Sequence, residues 1–358
     1  MPFQPDQLTI PLIQAPMAGG ASTPELAAAV SEAGGLGFLA AGYRTAQDMR
    51  EQLGKTRELT SGPFGINLFV PGPPAANATE AADTLATVTA YREELLADAA
   101  AYGIELPVPT GEADDDEWDA KLDVLVREPV PVVSFTFGLP TPYAVEALHR
   151  VGSHLVATAT TVAEAAAAEA CGVDALCVQG PLAGGHRGTH DVAATPEELP
   201  LSDLLAAVRE RVRIPLIAAG GLGTGEDIAA VLRAGAVAAQ LGTVYLRADE
   251  SGASRTHQDA LVDPRFEETV VTRAFSGRPA RGLRNRFIDA HDAAAPSAYP
   301  QVHQLTRGLR AAAARSGDAE RLHLWAGRRH RLARSAPAAD ITRDLWEQTV
   351  AALAATAG

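Results

Sequence analysis

VDALCVQGPLAGGHRGTH, residues 173–190, joins a short apolar run to a glycine-rich segment. The run that ends at Val178 has the length and composition of a buried strand. Four glycines follow within the next twelve residues, and His186 stands among them. Ligands of α/β proteins bind beyond the carboxyl ends of parallel strands, where glycine lets the backbone come close to them. This stretch therefore predicts an α/β fold with a binding site at the end of this strand.

Seven other apolar runs have the same form, and most of them precede an amphipathic helical pattern. The eight predicted strands are Leu12–Met17, Leu36–Ala40, Phe64–Phe69, Val130–Phe137, His154–Thr158, Ala175–Gln179, Pro215–Ala219 and Ala238–Thr243. The helices predicted between them are Pro24–Ala33, Ala46–Glu58, Pro142–Val151, Thr161–Cys171, Ser202–Val212 and Gly225–Ala234. Eight such units favour a closed (β/α)8 TIM barrel, with an open doubly wound sheet as the weaker alternative.

Two parts of the chain depart from this repeat. An insertion at residues 71–129 contains a long predicted helix near Ala76–Tyr102 and an acidic run at 113–119, interpreted as a solvated helix start. Residues 1–250 are predicted to form the barrel, and the insertion and residues 251–358 to form a helical cap subdomain over one barrel mouth. The basic segment Arg328–Arg334 is predicted to be a surface helix rather than an anion site.

Composition excludes several classes of protein. The 30 basic and 44 acidic residues give a formal charge of −14, which argues against nucleic acid or anionic membranes as partners. No apolar run approaches the roughly 18 residues of a membrane span, and the N-terminus has no signal-peptide pattern, so we expect a cytoplasmic protein. We also expect it to be a monomer or a homodimer. The two cysteines, Cys171 and Cys177, are expected to be reduced thiols.

Residues at the strand ends indicate what the barrel binds, because TIM-barrel active sites lie there. Glycines at 220, 221 and 242, after the seventh and eighth strands, predict a phosphate cradle of backbone N–H groups. The amides of Asn67 and Gln179 suit a flat heterocycle such as a flavin, although each suits a bond to a neighbouring loop equally well. Together these features predict FMN as cofactor.

His186 is the predicted general base, because it lies in an exposed loop of small residues. His190 follows four residues later, but a glycine-rich segment does not form the helix that would pair two histidines on a metal, so no metal site is predicted. Lys55 and Lys121 lie away from strand ends, which excludes a Schiff-base aldolase. Because no lysine lies at a strand end, the negative charge of a reduced flavin would be stabilised by helix dipoles, backbone N–H groups, His186 or Arg187.

In chain order, QAPMAGG, GINLF, VSFTFG, QGPLAGGHRG, PLIAAGGLG and AAQLGT resemble the nitronate monooxygenase family, formerly called 2-nitropropane dioxygenases. The similarity continues through RAFSGRPARGLRN (273–285), YPQVHQLT (299–306) and LWAG (324–327). It implies an FMN-dependent oxidoreductase that uses O₂ to convert alkyl nitronates, and in some cases nitroalkanes, into a carbonyl compound and nitrite without a metal. The wider superfamily also includes flavin-dependent enoyl reductases.

The resemblance also implies roles for individual residues. The family's catalytic histidine corresponds to His186. Its FMN contacts correspond to Asn67, Gln179, Gly184, Gly221, Gln240, Leu241, Gly242 and Thr243. Gly185 and Gly220, each beside one of these positions, and Met17, at the end of the first strand, complete the predicted cofactor site. His186 is expected either to abstract the α-proton of a nitroalkane or, protonated, to hold a nitronate anion.

Two positions differ from the family pattern. Thr136 stands where the fourth-strand motif often has histidine, and Arg328 and Arg329 follow LWAG where glycine or glutamine is usual. These differences affect the expected substrate and not the cofactor. Two alternatives stay open: a flavin enoyl or quinone reductase that uses NAD(P)H, and a flavin-binding or phosphate-binding barrel without turnover.

Overall fold

The structure, a computed structural model, describes residues 8–111 and 114–355. Its strands, in chain order, are β1 (Leu12–Gln14), β2 (Gly37–Ala40), β3 (Phe64–Phe69), β4 (Val132–Thr136), β5 (His154–Ala159), β6 (Ala175–Gln179), β7 (Gly185–His186), β8 (Leu216–Ala219), β9 (Ala238–Leu241), β10 (Thr269–Thr272) and β11 (Ala280–Leu283). Every strand predicted from an apolar run is present, and most are shorter than predicted.

Eight of these strands form one parallel sheet in the order β1-β9-β8-β6-β5-β4-β3-β2. The two edges meet, because Ile13 in β1 forms a parallel bridge with Leu36, just before β2. Backbone N–H groups of Gln14 and Leu36 donate to the carbonyls of Leu36 and Leu12 at 2.9 and 3.0 Å across this seam. The predicted (β/α)8 barrel is therefore confirmed.

The helices are α1 (Pro24–Glu32), α2 (Ala46–Leu59), α3 (Ala78–Glu94), α4 (Leu96–Ala101), α5 (Trp118–Arg127), α6 (Pro142–Arg150), α7 (Val162–Cys171), α8 (Leu201–Arg211), α9 (Gly225–Arg233), α10 (Arg255–Ala260), α11 (Arg286–His291), α12 (Gln301–Ser316) and α13 (Ala338–Ala355). Threonine caps five of the barrel helices, since the hydroxyls of residues 23, 45, 141, 161 and 224 each accept a backbone N–H of the first turn. Within the described residues, no helix is long and apolar enough to cross a membrane.

Side chains alternate along the strands between two apolar clusters. In β6, Leu176 and Val178 belong to the cluster shared with the outer helices, and Ala175 and Cys177 to a separate cluster. Because successive strand residues point to opposite faces, Gln179 lies on the same face as Cys177. The polar end of the strand thus projects from the barrel interior toward the C-terminal mouth.

The insertion and the C-terminal part share their own apolar cluster, which contains Tyr91 and Leu95 from the insertion and Phe287, Val302 and Leu309 from α11 and α12. The last helix, α13, packs instead on α1 and α9, on the outside of the barrel. The division of the chain near residue 250 stays a prediction.

The insertion differs from expectation in two ways. Its long predicted helix is two helices, α3 and α4, with Leu95 between them. The other described acidic residues of the run are exposed, as predicted, but Asp116 is only partly so: its carboxylate accepts the backbone N–H of Tyr43 at 2.9 Å and pairs with buried Lys121 at 2.7 Å. Ala113, at the start of the run, lies outside the described residues. The Asp116 carboxylate therefore connects the insertion with the loop after β2.

The basic segment Arg328–Arg334 is not the surface helix that was predicted. Residues 328–329 form a turn, and the following 3-10 helix, His330–Leu332, is a single turn. The turn lies against the loops after β6 and β8, since the backbone N–H of Arg328 donates to the Leu182 carbonyl and Gly223 packs on Arg329. These contacts place the segment at the barrel mouth.

Candidate active site

One cavity of about 660 Å³ opens at the carboxyl ends of the barrel strands, a size typical of sites for cofactors and small ligands. All twelve predicted site residues line it. They are Met17, Asn67, Gln179, Gly184, Gly185, His186, Gly220, Gly221, Gln240, Leu241, Gly242 and Thr243. The fold thus brings together residues that the sequence separates by more than 200 positions.

The loops after β8 and β9 carry the glycines of the predicted phosphate cradle. Gly220 and Gly221 have φ values of +99° and +80°, which residues with side chains rarely adopt. Several backbone N–H groups in these loops donate to no acceptor among the described residues: those of Gly220, Gly221, Leu222, Gly242 and Thr243. Unused donors on two adjacent loops suit an anion such as a phosphate.

Asn67 is buried at the end of β3, and its amide nitrogen donates to the hydroxyls of Ser134 at 2.9 Å and Thr136 at 3.0 Å. Both bonds use the same nitrogen, so the amide oxygen is the group left for a ligand. Thr136, where the family often has histidine, therefore orients Asn67. The hydroxyl at this position takes part in the cavity wall.

Gln179 differs from Asn67, because both ends of its amide bond to the loop backbone. Its nitrogen donates to the His186 carbonyl at 3.1 Å, and its oxygen accepts the Gly188 N–H at 2.9 Å. Of the two interpretations open from the sequence, the loop-bonded one describes this side chain. Gln179 holds the histidine loop in place while still bordering the cavity.

Strand pairing also fixes the position of His186. The two-residue strand β7 pairs with β11, with His186 opposite Ala280, in a small antiparallel sheet of β10, β11 and β7. The imidazole Nε2 lies 2.8 Å from the Ser276 hydroxyl. That hydroxyl can donate to the Arg278 carbonyl at 3.3 Å while it accepts from Nε2, which leaves Nδ1 unprotonated.

Aromatic rings surround this imidazole. Phe137 and Trp325 lie with their ring centroids 5.4 and 5.6 Å from that of His186. Phe137 and Tyr43, which both line the cavity, have φ values of +77° and +69°. A left-handed backbone costs a residue with a side chain about 1–2 kcal/mol, and such costs cluster at functional sites.

The field around His186 is positive. Burial, followed by the charges of Arg278 and Arg310, lowers the pKa of His186 to about 3, so the ring is neutral at pH 7. Both arginines are themselves buried, at 2% and 7% exposure. Burial lowers the pKa of each to about 10, which still leaves both charged.

These cations have no carboxylate partners. Among the described residues, none of the ion pairs includes Arg278, Arg307 or Arg310. The Arg310 guanidinium donates to Thr306 and His303, and it lines the cavity together with Arg307, which is exposed. Buried Arg278 lies behind the cavity wall, over the ring of Phe137 at 4.1 Å. Buried cations without counter-ions favour an anionic ligand, because an unpaired buried charge is costly.

The part of the cavity around His186, here called the chamber, is lined mainly by residues from the C-terminal part of the chain. Sequence reasoning missed most of them. They are His257, Ser276, His303, Arg307, Arg310, His323, Trp325 and Arg329. Three of them, Ser276, His303 and Trp325, lie inside segments that carry the family resemblance, which was the available signal. Charge and spacing alone did not distinguish the arginines from surface residues.

Two polar residues near the histidine lie elsewhere. Arg187, expected as one carrier of positive charge for the flavin, does not line the cavity; it is buried and donates to the Glu197 carbonyl at 3.3 Å. His190 bonds to the Thr158 carbonyl at 3.0 Å. No group of three or more His, Cys, Asp or Glu side chains within residues 8–111 and 114–355 is arranged to hold a metal.

Comparison with known proteins identifies the family. The nitronate monooxygenase family model matches residues 4–348, almost the whole chain. The chain belongs to the nitronate monooxygenase family. It is therefore an oxidoreductase, and members of this family are generally flavin-dependent. The resemblance that the sequence motifs indicated is confirmed.

Individual nitronate monooxygenases and related structures agree with this assignment. A probable nitronate monooxygenase of Staphylococcus aureus (strain JH9) is 38% identical over 344 residues, which cover 94% of each chain. The crystal structure of a nitroalkane oxidase from Streptomyces ansochromogenes is 50% identical, with a TM-score of 0.92 over 98% of this chain and 99% of that one. FabK from Thermotoga maritima is more distant, at 26% identity and a TM-score of 0.74, covering 98% of this chain and 96% of that one.

Proposed function

We propose that this protein is an FMN-dependent enzyme that uses O₂ to oxidise alkyl nitronates, and nitroalkanes after removal of their α-proton, to carbonyl compounds and nitrite. The observation that carries the proposal is a neutral histidine in a chamber flanked by two buried arginines without counter-ions, Arg278 and Arg310. Such a chamber suits a substrate that is an anion or becomes one when it loses a proton.

The residues of the cavity fit a flavin nucleotide. Unused N–H groups of the β8 and β9 loops are available for its phosphate, and the free amide oxygen of Asn67 is available for a ring N–H. A bound flavin would supply the electron acceptor, which none of the side chains provides. Cys177, on the barrel floor, stays a neutral thiol because burial raises its pKa to about 12.

His186 is assigned the role of base. Burial lowers the pKa of His186 to about 3, so at physiological pH the ring is neutral when no anion is bound. Nδ1 is the nitrogen without a protein partner, and it would accept the α-proton of a nitroalkane. Arg278 and Arg310 would stabilise the resulting negative charge through the low-dielectric interior.

Nitrite release and O₂ uptake by the purified yellow protein test this function, with ethylnitronate and nitroethane as substrates. We expect both signals with ethylnitronate. Bleaching of the flavin by NADH or NADPH without oxygen, and no nitrite from any nitronate, would instead indicate a reductase. A bound flavin that neither type of compound reduces would indicate a binding protein without turnover.

A further inference from the structure

We infer that Arg329 binds the phosphate group of the flavin nucleotide, and that it supplements the backbone N–H groups of the β8 and β9 loops. This inference depends on the proposed flavin cofactor. It concerns a residue outside the predicted site, in the segment where the chain differs from the family pattern.

The position of Arg329 is set by contacts between the C-terminal segment and three barrel loops. The backbone N–H of Gly327 donates to the Thr243 hydroxyl at 3.0 Å, and that of Arg328 donates to the Leu182 carbonyl at 3.4 Å. A Cβ on Gly184 would lie 2.4 Å from the Gly327 nitrogen, so the two backbones are in direct contact. The segment is therefore held at the edge of the phosphate cradle.

The side chain of Arg329 lies over the loop after β8. A Cβ on Gly223 would lie 3.0 Å from that of Arg329, and the Arg329 guanidinium Nη2 donates to Asp227 at 2.9 Å. The other oxygen of Asp227 accepts the N–H groups of Gly223 and Thr224, where α9 begins. One carboxylate thus holds both the loop and the guanidinium.

Arg329 still has donors to offer. A guanidinium carries five N–H groups, and the bond to Asp227 uses one of them. The side chain is 49% exposed, and it lines the cavity, whereas its neighbour Arg328 does not. Arginine matches the oxygens of a phosphate in geometry and in charge. Arg329 also neutralises Asp227, which would otherwise repel a phosphate.

Titration of the flavin-stripped, full-length protein with FMN and with riboflavin, followed by fluorescence, tests the inference. Riboflavin lacks the phosphate and serves as the internal control. We expect Arg329→Gln to weaken FMN binding about 10-fold and to leave riboflavin binding unchanged, the lower end of a charge-assisted contact because the side chain is half exposed. Arg328→Gln, the matched control, should change neither affinity.

Two more variants separate charge from folding. Arg329→Lys should recover part of the FMN affinity, and Asp227→Asn added to Arg329→Gln should recover part of it as well, because a repelling charge is removed. Unchanged FMN affinity in Arg329→Gln, or equal losses for FMN and riboflavin, would overturn the inference. Wild-type protein that binds neither flavin would overturn the proposed cofactor itself.

Discussion

The imidazole Nε2 of His186 lies 2.8 Å from the hydroxyl of Ser276, a residue 90 positions later in the chain. The pairing of β7 with β11 brings these two residues together. The hydroxyl occupies one ring nitrogen and leaves the other for substrate. When the hydroxyl accepts from Nε2 and donates to the Arg278 carbonyl, this hydrogen bond selects the tautomer in which Nδ1 can accept a proton.

Removal of the Ser276 hydroxyl should impair the reaction of nitroalkanes without loss of flavin. In Ser276→Ala we expect kcat for nitroethane to fall about 10-fold, less than removal of the base itself would cost, because the imidazole remains but loses its orienting partner. Ser254→Ala, in the same cavity, is the matched control. A uniform loss with nitroethane and ethylnitronate, together with released flavin, would show a merely structural role for Ser276.

Acidification should destabilise the protein through its buried histidines. Burial lowers the pKa of His186 to about 3 and that of His257 to about 4, whereas both titrate near 6.5 in an unfolded chain. Between these values the unfolded chain binds more protons, so stability is lost as the pH falls from 6.5 toward 4. Each histidine contributes up to about 1.4 kcal/mol per pH unit to the free energy of unfolding.

Denaturant melts at several pH values measure this slope. Between pH 6 and pH 4.5, His257→Gln should reduce the pH dependence of the free energy of unfolding by the equivalent of about one bound proton. The surface variant His149→Gln serves as control. An identical slope in wild type and His257→Gln would show that His257 binds the proton in the folded state too.

The two lysines of the chain should differ sharply in their effect on stability. Lys121 is buried, donates to the Ala41 carbonyl at 3.0 Å and pairs with Asp116, whose pKa is raised by burial. Lys121→Met leaves the partly buried carboxylate of Asp116 without its cation and should cost about 3 kcal/mol, the lower end for a buried pair. Lys55 pairs with Glu25 on the surface, and Lys55→Met should cost less than about 1 kcal/mol. Equal losses of stability in urea melts would disprove the buried pair.

Two glycine-to-alanine substitutions should change the stability of the protein in opposite directions. In Gly184→Ala the new methyl group would meet the backbone of residues 326–327, so we expect a loss of about 1–3 kcal/mol and weaker flavin retention. Gly54 lies within α2 with nothing near its missing Cβ, and Gly54→Ala should stabilise by about 0.5–1 kcal/mol. Thermal melts of both variants decide the point, and a neutral Gly184→Ala would refute the close contact with the C-terminal segment.

The barrel could be predicted from the sequence because its signals are local. Each buried parallel strand is a short apolar run, and several strand ends are marked by glycine, Asn67 or Gln179. Strand order then determines which strand ends meet, and together with the family resemblance it predicts the twelve residues that line one cavity.

The chamber around His186 could not be predicted in the same way, because its residues come from non-local pairings. No local pattern indicates that Ser276 lies beside His186, or that Arg310 of α12 reaches the cavity. The acidic run predicts that Asp116 is solvated, yet its carboxylate accepts the backbone N–H of Tyr43. For Gln179 the sequence left two interpretations open, because the conformation of the loop that binds its amide has no local sequence signal.

Comparison of wild type and His186→Asn on two substrates tests the central claim most directly. Nitrite release is measured at pH 7 with nitroethane, which must lose a proton, and with ethylnitronate, which has already lost it. We predict that His186→Asn loses at least about 100-fold of kcat/KM with nitroethane, within the usual range for a general base, and much less with ethylnitronate. Equal losses on both substrates, with flavin content unchanged, would contradict the assignment of His186 as a neutral base in a cationic chamber.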